Sequence, residues 1–208
     1  MTVPRITRFL ALGLTGALLM SSALTPAAAA DNSVRVRGTV AALTGDRLQV
    51  TSREGQAVMV TLKPGWRVSA VAKAGIADIK PGDYVGIASL PTSAGGDGAL
   101  EVLIFPPQLK GAAEGSFGWD LKPNSTMTNA TVADAVKSVG SSDVTVSYHG
   151  REKKISIAQG TPVVTLAPAT PEDVKPGSVV FVSAEKGADG ELSAGNLIVG
   201  KNGVVPPM

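Results

Sequence analysis

One eight-residue pattern occurs twice in this chain, and it narrows the possible folds more than any other feature. Asp78-Ile79-Lys80-Pro81-Gly82-Asp83-Tyr84-Val85 recurs as Asp173-Val174-Lys175-Pro176-Gly177-Ser178-Val179-Val180. An apolar run follows each copy, at 86–90 and 181–184, and each run reaches an Asp-Gly turn, Asp97-Gly98 and Asp189-Gly190. A last apolar run follows each turn, at 100–105 and 192–199, and both copies then close on a proline pair, Pro106-Pro107 and Pro206-Pro207. The front halves match more loosely: Gly38-Thr39-Val40-Ala41 aligns with Ala130-Thr131-Val132-Ala133, and Val58-Met59-Val60-Thr61-Leu62 with Lys154-Ile155-Ser156-Ile157-Ala158. An ordered series of this kind predicts a tandem duplication.

Within a copy the periodicity is that of strands. Val34, Val36, Val40 and Val58, Val60, Leu62 alternate with polar or small residues, which sends one face to a core and one to water. Gly45-Asp46, Glu54-Gly55 and His149-Gly150 stand where hairpins must turn. Lys-Pro-Gly before a strand suits a tight turn, because Pro presets φ and Gly tolerates positive φ. Val132, Ala135, Val136 and Val139 also fall at helical spacing, but the repeat argues for a strand there. Five or six short strands in each copy suggest a closed barrel, which leaves few open edges. The expected fold is therefore all-β: two tandem small antiparallel barrels, OB-like, with a β-sandwich as the alternative. The expected boundaries are a first repeat at 31–105, a strap or linker at 106–129, and a second repeat at 130–208 with a short Pro-rich tail.

Residues 1–30 follow the plan of a secretory signal peptide. Arg5 and Arg8 make a basic start, 9–24 is apolar, Thr25-Pro26 breaks the helix, and Ala28 and Ala30 offer the small residues a signal peptidase reads. Cleavage after Ala30 places the protein in the periplasm or outside the cell. The whole chain has 19 Lys+Arg and 17 Asp+Glu. The signal carries two of the basic residues and no acid, so the mature chain balances at 17 against 17. Nucleic-acid binding, which needs a basic stripe, is not expected. Arg35 and Arg37 share a strand face and Arg151, Lys153 and Lys154 cluster, both of which read as solvated surface. The chain has no Cys, which removes disulfides, thiolate ligands and lipidation of an N-terminal cysteine.

The order Gly-Thr-Val, hairpin, Val-x-Val-x-Leu, Asp-Ile-Lys-Pro-Gly-Asp-Tyr-Val, Asp-Gly and terminal strand resembles bacterial exported OB-like repeat proteins of unknown function. The stretch from Ile104-Phe105-Pro106 through Gly115, Trp119-Asp120-Leu121 and 125–131 is similar to a subgroup sometimes named after metal transport permeases. No second apolar segment is long enough to span a bilayer, which argues against a permease. In that subgroup a His often precedes the Trp-Asp pair; Ser116-Phe117-Gly118 stands there in this chain, so the resemblance carries over no metal ligand. It implies fold and location, and no activity.

No catalytic set is apparent. His149 is the only histidine, in a sequence that reads as a hairpin tip, and no Gly-x-Ser-x-Gly elbow accompanies it. Glu54, Asp78, Asp83, Asp97, Asp173 and Asp189 read as turn residues first, although a carboxylate-dependent hydrolase remains a third reading. Met59, Met127 and Met208 are too scattered for a thioether metal site. No cofactor and no metal are expected. The segment between the repeats holds the candidate contacts for a ligand or partner: Phe117, Trp119, Asp120 and Lys122. Trp119 serves either as a contact or as a plug between barrels. The leading expectation is an exported binding or interaction module, not an enzyme, for an envelope protein or a saccharide or peptide ligand, with no membrane contact after signal cleavage. The alternative is an accessory subunit of an envelope transport system. The oligomeric state does not follow from the sequence.

Overall fold

The computed structural model describes Met1, residues 32–138 and residues 141–207. The expected signal peptide and its cleavage site at Ala28 and Ala30 lie outside the described residues. Among the described residues, twelve strands carry the fold: β1 (Ser33–Thr44), β2 (Arg47–Ser52), β3 (Ala57–Ala74), β4 (Tyr84–Pro91), β5 (Asp97–Ile104), β6 (Gly115–Trp119), β7 (Ser125–Ser138), β8 (Ser141–Tyr148), β9 (Arg151–Ala158), β10 (Val163–Pro168), β11 (Val179–Lys186) and β12 (Leu192–Gly200). The protein is all-β. The segment with ambiguous helical spacing lies in β7, as the repeat argued, up to Ser138.

The strands close into two five-membered rings. The first runs β1-β2-β3-β12-β11 and returns to β1; the second runs β7-β8-β9-β5-β4 and returns to β7. Each ring has one parallel seam, β3 with β12 and β5 with β9, and antiparallel contacts elsewhere. This is the order of a small OB-like barrel, and closure disposes of the sandwich alternative. Both barrels bend at a bulge in their first strand, between Val40 and Ala42 and between Val132 and Asp134.

The expected boundaries at 31–105 and 130–208 are where the pairing departs from expectation. Neither stretch closes on itself. The β1-β2-β3 meander takes its last two strands from β11 and β12, while β7-β8-β9 takes β4 and β5. The reason lies in the segment before each Lys-Pro-Gly turn. β3 continues past an irregularity at Lys63-Pro64-Gly65, where residues 63–66 lie opposite Gly195, as far as Ala74, and its second half pairs antiparallel with β10. A strand committed to that pairing carries the chain across to the other barrel, where a short 3-10 turn (Ile76–Asp78, or Pro171–Asp173 in the second copy) leads into the next hairpin. Val71 faces Leu166, the residue at the same distance before its own Asp-x-Lys-Pro-Gly motif, so the crossing is symmetric about that pair.

The buried residues of each barrel are aliphatic. Val36, Val40, Leu48, Val50, Val60, Leu62, Val180, Val182 and Val199 fill the first; Val85, Ile87, Val102, Val132, Val144, Val146, Ile155 and Ile157 fill the second. Val174, just before the second Lys-Pro-Gly, enters the first core, and Ile79 enters the second. At about 25 cal/mol per Å² of apolar surface removed from water, these side chains hold the exchange in place without disulfides. A third cluster, Val71, Leu103, Val164 and Phe181, with Phe105, Trp119, Leu166 and Ile198 against it, packs between the barrels. Among the described residues, no helix is long and apolar enough to cross a membrane.

Candidate ligand pocket around Trp119

Residues 106–129, expected to be a strap or linker, give residues 115–119 and 125–129 to the sheet. Pro107–Leu109 forms a 3-10 turn, and β6 pairs with the first half of β7, with Gly115 opposite Asn129 and Trp119 opposite Ser125. The turn between them is pinned from three sides. The Tyr84 hydroxyl donates to the Ala112 carbonyl (2.9 Å), Asn129 Nδ2 donates to the Ala113 carbonyl (3.2 Å), and the His149 backbone N–H donates to Glu114 Oε1 (2.9 Å). His149 sits at the β8–β9 hairpin tip with φ of 46°, as its sequence suggests. Its Nε2 lies 3.0 Å from the Glu114 carbonyl, which only accepts, so Nε2 carries the proton. The lone histidine is a clasp on the strap.

Held this way, β6 delivers Trp119 onto the other barrel. The Arg35 guanidinium lies 4.0 Å above the Trp119 ring, and Phe181 and Phe117 approach at 6.3 and 6.2 Å between centroids. Arg37 lies over Phe181 at 5.3 Å and reaches Asp120 Oδ1 at 2.7 Å, with Arg35 3.9 Å from the other carboxylate oxygen. Arg35 and Arg37 were expected on solvated surface; both side chains are instead largely covered, because an aromatic face and a carboxylate meet them. Burial tends to raise the Asp120 pKa, but the Arg37 hydrogen bond and the two positive charges hold it below the usual carboxylate range. Asp120 therefore clamps the arginines over the tryptophan.

Beside this stack is a pocket of about 250 Å³. Phe105, Phe117, Trp119 and Phe181 line it, with Arg35 at one side and Gly86, Met127 and Asn129 at another. The chain has only eight aromatic residues (four Phe, two Trp, two Tyr), so half of them gather here while the buried barrel cores stay aliphatic. Asn129 is 7% exposed, and its Oδ1 has no hydrogen-bond partner in the protein. Two carbonyls accept from Nδ2, which fixes the amide: turned over, Oδ1 would face both of them. Trp119 Nε1 is also buried without a partner. Both cross-strand neighbours of Asn129 are glycines, Gly86 on β4 and Gly115 on β6.

Of the four sequence candidates, Phe117 and Trp119 line the pocket and Asp120 supports it. Lys122 does not reach it; its backbone N–H donates to Ser125 Oγ in the turn that follows β6. Arg35, Gly86, Phe105, Met127, Asn129 and Phe181 were missed. A signal for them existed in the departures from the repeat. Aligned on Lys-Pro-Gly, Gly86 stands where the other copy has Phe181; aligned on the Thr-Val pairs, Met127 and Asn129 stand where it has Arg35 and Arg37.

A larger and more open cleft of about 650 Å³ is lined by Lys73, Asp78, Lys80, Asp83 and Lys110. Three of its charges are spent on local structure: Asp78 accepts from Gly75 N–H, Asp83 from Lys80 N–H, and Lys110 donates to the Gly82 carbonyl. Asp173 and Asp189 likewise accept from neighbouring backbone amides, so these carboxylates act as turn residues. Among the described residues, no group of three or more His, Asp or Glu is placed to hold a metal ion. No family model, curated protein or solved structure matches this chain.

Proposed function

We propose that this chain is an exported, non-enzymatic binding module, related to the OB-like repeat proteins and built by tandem duplication, with its ligand site at the pocket around Trp119. The observation that carries this reading is the gathering of half the chain's aromatics around one pocket, two of whose lining residues, Trp119 and Asn129, carry a buried polar atom without a partner. A mainly apolar concavity with a few convergent polar groups is the usual form of a small-molecule site. Phe117 supports it further: a large apolar side chain left 37% exposed at the edge of a pocket loses surface to water when a ligand covers it. The signal-like residues 1–30 support a periplasmic or extracellular place of work.

Saturation-transfer NMR against a library of single-ring and monosaccharide fragments tests the reading. A subset of fragments is expected to bind the mature chain and to lose its signal in Trp119→Ala, with the circular dichroism of the barrels retained. An absence of hits, or hits indifferent to Trp119, would remove the pocket from consideration.

A further inference from the structure

We infer that the ligand of this pocket is a small single-ring aromatic molecule bearing a hydroxyl, its ring among Phe117, Trp119 and Phe181 and its hydroxyl on Asn129 Oδ1; this rests on the binding-module reading above.

Size sets the first limit. Pockets for drug-sized ligands run from roughly 300 to 1,000 Å³, and an apolar cavity of about 150 Å³ holds benzene. At about 250 Å³ the pocket accepts one substituted ring. Its walls favour a flat, polarisable occupant, since aromatic rings pack edge to face or offset against one another.

The polar atoms set the second limit. Oδ1 of Asn129 accepts and cannot donate, and the strap carbonyls keep it from turning. The Cβ that Gly86 lacks would lie 2.8 Å from Oδ1, 3.2 Å from Phe105 Cε2 and 3.6 Å from Met127 Sδ, all on residues lining the pocket. The missing side chain thus leaves the acceptor facing the pocket floor. An acceptor buried without a partner is costly, so a ligand that donates to it gains what an apolar ligand does not. Trp119 Nε1 asks for the opposite chemistry, an acceptor. A hydroxyl group has both, an O–H that donates and an oxygen that accepts. Saccharide hydroxyls could serve the same atoms, but a sugar needs many partners, and this lining is chiefly hydrocarbon.

The test uses phenol and toluene, which share a ring and a size, titrated into the mature chain and into Asn129→Leu, whose side chain keeps the shape of Asn. The ratio of phenol to toluene affinity is expected to fall about tenfold in Asn129→Leu. Gly86→Ala, whose Cβ would press on Asn129 Oδ1 and Phe105, is expected to weaken both probes at least tenfold by filling the floor. An unchanged ratio in Asn129→Leu, with both probes still bound and lost in Trp119→Ala, would overturn the hydroxyl inference and leave the binding site standing. Failure of both probes to bind the wild-type chain would overturn both, and toluene binding without phenol would overturn the hydroxyl inference.

Discussion

At the scale of single residues, the most unusual group is Glu101. It is 2% exposed on β5, and its Oε1 has no hydrogen-bond partner. Burial pushes its carboxyl up from 4.5 to about 7, against the opposing pull of Arg37 and Arg53. The folded chain therefore keeps a proton between pH 4.5 and about 7 that the unfolded chain has released. The contribution of Glu101 to stability is greatest below that window and falls as pH rises through it, by roughly 3 kcal/mol at one pKa unit per 1.36 kcal/mol. Glu101→Gln is expected to flatten this slope and to stabilise the protein at pH 8. Urea unfolding of both proteins at pH 5 and pH 8 measures it; an identical pH dependence in the variant would show that Glu101 is not the source. Nothing in the sequence marked Glu101, because a carboxylate on a strand becomes unusual only when another barrel covers it.

At the scale of elements, the strap is the part with the least redundancy. β6 pairs with one strand only, so its turn depends on Tyr84, Asn129 and His149. His149→Ala removes the ring contact to the Glu114 carbonyl and is expected to cost about 1 kcal/mol. The amides of 112–119 should exchange faster with solvent while those of β8 and β9 stay protected, which hydrogen exchange resolves by segment. Uniform acceleration across the chain would mean that the clasp supports the whole fold instead. Strands, hairpins and tight turns were legible because they are written in short-range alternation and in Gly, Pro and Asp positions. The strap's strand was not: Gly115-Ser116-Phe117-Gly118-Trp119 lacks alternation, and what orders it is the edge of β7, which only the fold supplies. Two of the four candidate contacts, an aromatic pair in a Gly-rich segment singled out on composition, line the pocket. The rest of the pocket came from strands whose aromatic or small residues look like ordinary core until they are brought together.

At the scale of the whole molecule, the recurring sequence pattern marked the strands but not which of them join. Every contact needed to close a barrel is available both within a copy and between copies, since the copies carry the same pattern. The continuous run of β3 and its pairing with β10 settle the choice, and they bring Phe181 and Arg35 of one barrel against Trp119 from the strap of the other. The pocket is thus a product of the exchange. Because the chain has no Cys, paired cysteines report strand neighbours without background. Ser33 faces Glu185 across β1 and β11; had the first copy closed on itself, Ser33 would face Leu90, the position matching Glu185. Oxidation followed by mass spectrometry of the monomer is the most direct measurement: Ser33→Cys with Glu185→Cys should form an intramolecular disulfide, and Ser33→Cys with Leu90→Cys should stay reduced. The reverse pattern would mean that each copy folds into its own barrel, and the pocket around Trp119 would lose the strands that build it.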